Sequence, residues 1–154
     1  MRDPHDSSTG VHHPSREVAP AFVMLVDDDP ETVEMYRMGL EAGGFRVGVS
    51  GGPDAFFEAL SREVPDALVL DYRLPGMSGV DVLTRVRKEL ELVDLPVFFL
   101  SNFLGDQNGA IDRVFELGAV AWLRKPLTPP NVLASRLMEA IGQERYARRI
   151  DDSD

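Results

Sequence analysis

The sequence predicts an α/β domain built on a parallel sheet covered on both faces. Five short strand-like segments occur, at 22–26, 45–49, 67–70, 97–100 and 120–123, and all but Phe45 to Val49 are apolar runs that lack the alternation of a sheet with one wet face. Each is followed by a segment whose apolar residues recur every three or four positions, the period of a helix with one buried stripe. Strands that alternate with helices need crossover connections, and these make the strands parallel.

The first strand, 22–26, runs into Asp27-Asp28-Asp29-Pro30, where Asp29 reads as an N-cap and Pro30 as the first helical residue. Val33, Tyr36 and Leu40 form the apolar face of that helix, and Gly43-Gly44 stops it. The second strand, Phe45 to Val49, follows at once. Pro53 opens the second helix, with Phe56, Ala59 and Leu60 on one side. After the third strand, 67–70, Ser78 and Asp81 have capping-box spacing and start a helix that turns Val80, Leu83, Val86 and Leu90 inward. Pro96 leads into the fourth strand. Ile111, Val114, Phe115 and Leu117 mark a fourth helix that ends at Gly118, with Gly105 and Gly109 bracketing a mobile start. Strand five covers 120–123, and Pro129-Pro130 begin a last helix carrying Leu133, Leu137 and Ile141 inward.

Residues 1–20, rich in Pro, Ser, His, Asp and Gly, read as a flexible tail. That leaves 21–143 as one domain and 144–154 as a charged extension of the last helix or a tail. The basic stretch from Glu144 to Arg149 reads first as a solvated helix end.

The whole chain sets limits. Its 154 residues suffice for one sizeable core. Without cysteine there are no disulfides and no thiolate chemistry. The longest apolar run, Ala21 to Val26, falls far short of the roughly 20 residues that span a bilayer. The N-terminus lacks the apolar segment of a secretory signal, so a cytoplasmic location with no membrane partner is expected. A net charge of −10 argues against a nucleic-acid partner. The three histidines, His5, His12 and His13, all precede Ser15, so the body of the domain cannot use histidine as base, ligand or phosphoryl carrier.

Residues just past the carboxyl ends of parallel strands line a common crevice. Asp27-Asp28-Asp29 follows the first strand, Asp71 the third, Ser101 the fourth and Lys125 the fifth. Like charges about 4 Å apart repel by roughly 4 kcal/mol at an effective dielectric near 20. Such a group therefore calls for a cation or a proton, and hard oxygen ligands without His or Cys select Mg²⁺. A fixed carboxylate at Asp71, ahead of the Pro75-Gly76 turn, can attack phosphorus. Lys125 supplies a point charge for a phosphoryl oxygen, and Ser101 a hydrogen bond to another. Singly these are a helix cap, two turn residues and a surface lysine. Only their shared place after the strands points to phosphoryl chemistry.

Val26-Asp27-Asp28-Asp29-Pro30, Asp71 through Gly79, Leu100-Ser101-Asn102, and Gly118-Ala119 through Lys125-Pro126 together resemble the response regulator receiver domain family, from residue 22 to about 143. The resemblance implies a flavodoxin-like, doubly wound (βα)5 fold with strand order 2-1-3-4-5. It implies that Asp71 accepts a phosphoryl group from the phosphohistidine of a histidine kinase or histidine phosphotransfer protein. Mg²⁺ would be held by Asp28, Asp71 and the backbone carbonyl of Arg73, with Asp27 acting through a water. Lys125 would pair with the phosphoryl group, and the Lys125-Pro126 bond would be cis. Ser101 would move toward the acyl phosphate and let Trp122 turn from outward to inward. That movement would change the face of helix four, strand five and helix five, where a downstream effector protein binds.

Past Ile141 only Gly142 to Asp154 remain, too few for a separate output module, so a stand-alone switch of two-component signalling is expected, a monomer or a phosphorylation-dependent dimer. Such a protein assists its own phosphorylation and dephosphorylation without being an enzyme in its own right. Departures from the family pattern are Asn102 where a small residue is common, Ser78 for a frequent acidic residue, and Trp122 for Tyr or Phe. Arg73, two residues past the acceptor, can shield the acyl phosphate from water. Three other readings compete. A docking module that works without phosphorylation would have lost one of these residues, and none is lost. An aspartate-nucleophile phosphatase resembles a strand followed by Asp-x-Asp, but Arg73 holds the second place. A flavodoxin-like cofactor binder would have its phosphate repelled by the acidic first loop.

Overall fold

The computed structural model describes residues 19–102 and 109–152. The tail reading, the three histidines and Gly105 lie outside the described residues. Five strands, β1 (Phe22–Val26), β2 (Arg46–Ser50), β3 (Ala67–Leu70), β4 (Val97–Ser101) and β5 (Ala121–Arg124), form one parallel sheet in the order 2-1-3-4-5. Between and after them run α1 (Pro30–Ala42), α2 (Pro53–Arg62), α3 (Gly79–Thr84), α4 (Ala110–Glu116) and α5 (Pro130–Asp152). The expected fold is the observed one.

Side-chain alternation along each strand divides the core in two. Met24, Val26, Leu68, Leu70, Val97 and Phe99 face α2 and α3, packing on Phe56, Leu60, Leu83 and Val86. Val23, Leu25, Ala67, Val69, Phe98 and Leu100 face α1 and α5, packing on Tyr36, Leu40, Leu133, Leu137 and Ile141. Both faces of β1, β3 and β4 are therefore dry, which is why these three strands read as unbroken apolar runs. Each fully buried Leu or Phe contributes about 1.5–3 kcal/mol. Helices α1 and α5 come close because Gly39 has no side chain: a Cβ there would lie 2.3 Å from Pro130 Cβ.

Register aligns the strand ends. Val26 pairs with both Ser50 and Leu70, Leu70 with Phe99, and Ser101 with Arg124. Asp27, Asp71, Ser101 and Lys125 consequently emerge along one rim. A two-residue ladder, Arg73–Leu74 with Met77–Ser78, closes over Pro75-Gly76, where Gly76 has φ 80°. Ser78 caps α3, its hydroxyl accepting the Asp81 amide at 3.2 Å.

Several local expectations need correction. Strands β2 and β5 each begin one residue later than expected. Leu90 does not turn inward but is 41% exposed. The cause is a π-helical turn, Arg85–Glu89, in which Leu90 N–H bonds Arg85 O, five residues back, and rotates the following side chains off the helical period. That turn buries Arg87 instead. Phe115 is 44% exposed, because Ala110 and Val114 already fill the space under the short α4. The Lys125–Pro126 bond is trans, with Pro126 inside a 3₁₀ turn, Lys125–Leu127. The last helix does continue as a helix, through the 144–152 stretch. Along it Arg145 pairs with Asp66 at 3.4 Å and Arg148 with Glu144 at 3.6 Å. No helix among the described residues is long and apolar enough to cross a membrane.

Candidate functional site

Four strand ends supply the site. Asp27, directly after β1, is 3% exposed, and Asp71, directly after β3, is 9% exposed. Lys125 begins the 3₁₀ turn after β5, and its ammonium reaches back across the rim. Its Nζ lies 2.7 Å from Asp27 Oδ2 and 3.5 Å from Asp71 Oδ2. Ser101, the last residue of β4, is buried and hydrogen-bonds the Asp71 carboxylate, as does the Arg73 backbone amide. Asp27 Oδ1 accepts the Asp29 amide at 2.9 Å, so both of its oxygens are engaged. Asp28 is the exposed member of the group.

Oxygens from Asp27, Asp28 and Asp71 lie within 4.8 Å of one another. These residues fit a small hard cation. Burial pushes the Asp71 carboxyl above its usual range; Lys125 pulls against that, and the charge of Asp27 adds to the rise. A divalent cation would offset the charge that Lys125 alone leaves uncompensated. For Lys125, burial disfavours the ammonium, but hydrogen bonds and charge from Asp27 and Asp71 outweigh it and leave its pKa raised. The ammonium is therefore firmly protonated at neutral pH.

Every site residue expected from the sequence lies at this rim or beside it. Arg73 and Asn102 are exposed at its edge. Trp122 departs from its expected starting position. It already lies packed and half-buried, stacked on Phe99 with centroids 5.4 Å apart and planes at 13°. Tyr72, the neighbour of Asp71, touches its ring from another side, at 5.4 Å and 47°. The stacking area on Phe99 accounts for the packed position. Asp29 sits at the α1 N-cap, but its carboxylate accepts the Thr32 hydroxyl rather than making a backbone cap.

One contact at the site carries no sequence signal. Tyr36 occupies an apolar-face position of α1, indistinguishable by period from a core residue. Its hydroxyl nevertheless donates to the backbone that carries Lys125.

Known proteins share this fold and family. The family model of the response regulator receiver domain matches residues 23–137. A probable transcriptional regulatory protein, TcrX of Mycobacterium tuberculosis, is 40% identical over 116 residues, covering 74% of this chain and 47% of its own. The phosphate regulon transcriptional regulatory protein PhoB of Rhizobium meliloti is 31% identical, covering 73% and 48%. The chain thus spans about half the length of these curated relatives. Among solved structures, a response regulator receiver domain protein from Clostridium thermocellum has a TM-score of 0.72 at 25% identity, covering 82% of this chain and 98% of its own. A CheY-like receiver domain protein from Methanospirillum hungatei, at 19% identity, shares the fold with a TM-score of 0.74, covering 83% and 98%.

Proposed function

Because the chain belongs to the family of response regulator receiver domains, we propose that Asp71 is a phosphoacceptor served by the phosphohistidine of a histidine kinase or histidine phosphotransfer protein. The observation that supports this most is the placement of Asp71. It is buried, hydrogen-bonded by Ser101 and the Arg73 amide, and 3.5 Å from the Lys125 ammonium.

In the proposed step a carboxylate oxygen of Asp71 forms the new bond to phosphorus. The phosphorus–nitrogen bond of the donor breaks, its electron pair stays on the imidazole, and that nitrogen takes up a proton. Lys125 meets one phosphoryl oxygen and Ser101 donates to another. Asp28, Asp71 and the Arg73 carbonyl, with Asp27 acting through a water, would hold Mg²⁺, which would supply charge compensation for the incoming phosphoryl group. Arg73 stands where a side chain shields the product from water, and Asn102 narrows access to it.

Phosphorylation adds about −1.5 to −2 charge beside Ser101. Ser101 on β4, and Trp122 two residues before its partner Arg124 on β5, carry the change to the face of α4, β5 and α5. Phe115, Val120 and Val132 are exposed there, at 44%, 42% and 40%. Such apolar exposure suits a downstream protein partner.

Trp122 is the only tryptophan and touches the neighbour of the acceptor. Its fluorescence is expected to respond saturably to Mg²⁺ and to change again on adding beryllofluoride, with the second change absent in Asp71→Asn. A protein whose fluorescence answers neither addition would be a docking module rather than a switch.

A further inference from the structure

Tyr36 is fully buried, at 0% exposed, yet its hydroxyl faces neither solvent nor a side-chain partner. It lies 2.6 Å from Thr128 O and 3.3 Å from Lys125 O, spanning the two ends of the turn that follows β5. The same turn is closed by Thr128 Oγ1 donating to Arg124 O at 2.7 Å and Thr128 N donating to Lys125 O at 3.2 Å. Prolines at 126, 129 and 130 supply no amide donors to this stretch. An α-helical continuation would satisfy Lys125 O from residue 129, which is a proline. The Thr128 amide serves Lys125 O instead, and the phenol of α1 donates chiefly to Thr128 O, with Lys125 O as its longer second contact. Burial, and then the charge of Asp27, raise the pKa of Tyr36, so it remains a donor.

We propose that Tyr36 is a positioning residue for phosphoryl transfer: its hydroxyl fixes the 124–128 turn so that the Lys125 ammonium bridges Asp27 and Asp71. Lysine carries four rotatable methylenes, and a turn free to shift would let them find many other positions. With the backbone pinned at both Lys125 and Thr128, the ammonium is held at 2.7 Å and 3.5 Å from the two carboxylates. The proposal rests on the reading of Lys125 as the partner of the phosphoryl group.

Tyr36→Phe keeps the ring and removes the donor. The chain has two lysines, and the second, Lys88, is exposed on the π turn far along the sequence, which makes it an internal reference. In Tyr36→Phe the rate at which an amine-acylating reagent modifies Lys125 should rise severalfold, read by peptide mass, while Lys88 is unchanged. Beryllofluoride affinity should fall about tenfold, the effect of stranding a buried hydrogen-bonding group, and Mg²⁺ affinity should not weaken. Unchanged Lys125 reactivity, or beryllofluoride affinity within about twofold of wild type, would overturn the proposal. So would a joint rise at both lysines with a lowered Tm, which is the mark of a merely structural role. A wild-type protein that ignores beryllofluoride would instead strike down the acceptor reading, and this role with it.

Discussion

Lys125→Ala is expected to destabilise the fold by about 3 kcal/mol and to remove phosphoryl transfer to Asp71. The ammonium lies against two carboxylates, and the three side chains are 9%, 2% and 11% exposed. Removing the cation leaves Asp27 and Asp71 buried together without compensation. The sign of the pH dependence follows from the direction of the Asp71 shift. Burial already raises its folded-state pKa, so the ionised form opposes folding and the protonated form does not. Loss of Lys125 raises that pKa further. The stability deficit of the variant should therefore be full at neutral pH and shrink as pH falls through the carboxylate range. Mg²⁺ should recover part of it at neutral pH by taking over the role of the cation. Urea unfolding of both proteins at two pH values, with and without Mg²⁺, measures all three effects.

Arg87→Ala should cost somewhat more, about 4 kcal/mol, at the opposite end of the sheet. The Arg87 guanidinium donates to Leu117 O at 2.7 Å, Leu92 O at 2.7 Å, Leu95 O at 2.8 Å and Gly118 O at 3.2 Å. These carbonyls belong to the two loops that lead into β4 and β5. At about 1 kcal/mol for each lost bond, with the carbonyls left short of a donor, the sum is large against a typical total stability of 5–15 kcal/mol. Arg87→Lys should recover little of it, because a single ammonium cannot present a planar fork to both loops. Unlike Lys125→Ala, the Arg87 variant should retain phosphoryl acceptance at Asp71 wherever it stays folded, since Arg87 bonds only loop carbonyls away from the site. Denaturant unfolding alongside phosphorylation by a small acyl-phosphate donor separates the two cases.

These two residues show what was legible in the sequence and what was not. Asp27, Asp28, Asp71, Ser101 and Lys125 could be located because each terminates a strand that is apolar on both faces, and parallel register brings such ends to one rim. Position along the chain was enough. Arg87 lies in a stretch whose helical period points Leu90 inward, and the period fails there because a π turn adds one residue to the repeat. No local residue type marks that turn, which is held by the loops it packs against. Tyr36 had the opposite problem. Its place on the apolar face of α1 was plain, but a buried phenol and a buried phenylalanine look alike until the partner of the hydroxyl is known. The packed position of Trp122 depends on contact with Phe99 and Tyr72, which come from two other segments. Long-range contacts of this kind leave no periodic trace.

The central claim is that Asp71 takes a phosphoryl group with the help of a divalent cation. Its most direct test is to incubate wild type and Asp71→Asn with a small acyl-phosphate donor and find the added group by intact mass and peptide mapping. The expected result is one phosphoryl group on wild type, on the peptide containing Asp71, dependent on Mg²⁺ and absent from the variant. Equal incorporation in Asp71→Asn, or none in wild type while a control receiver domain is modified by the same donor, would contradict it.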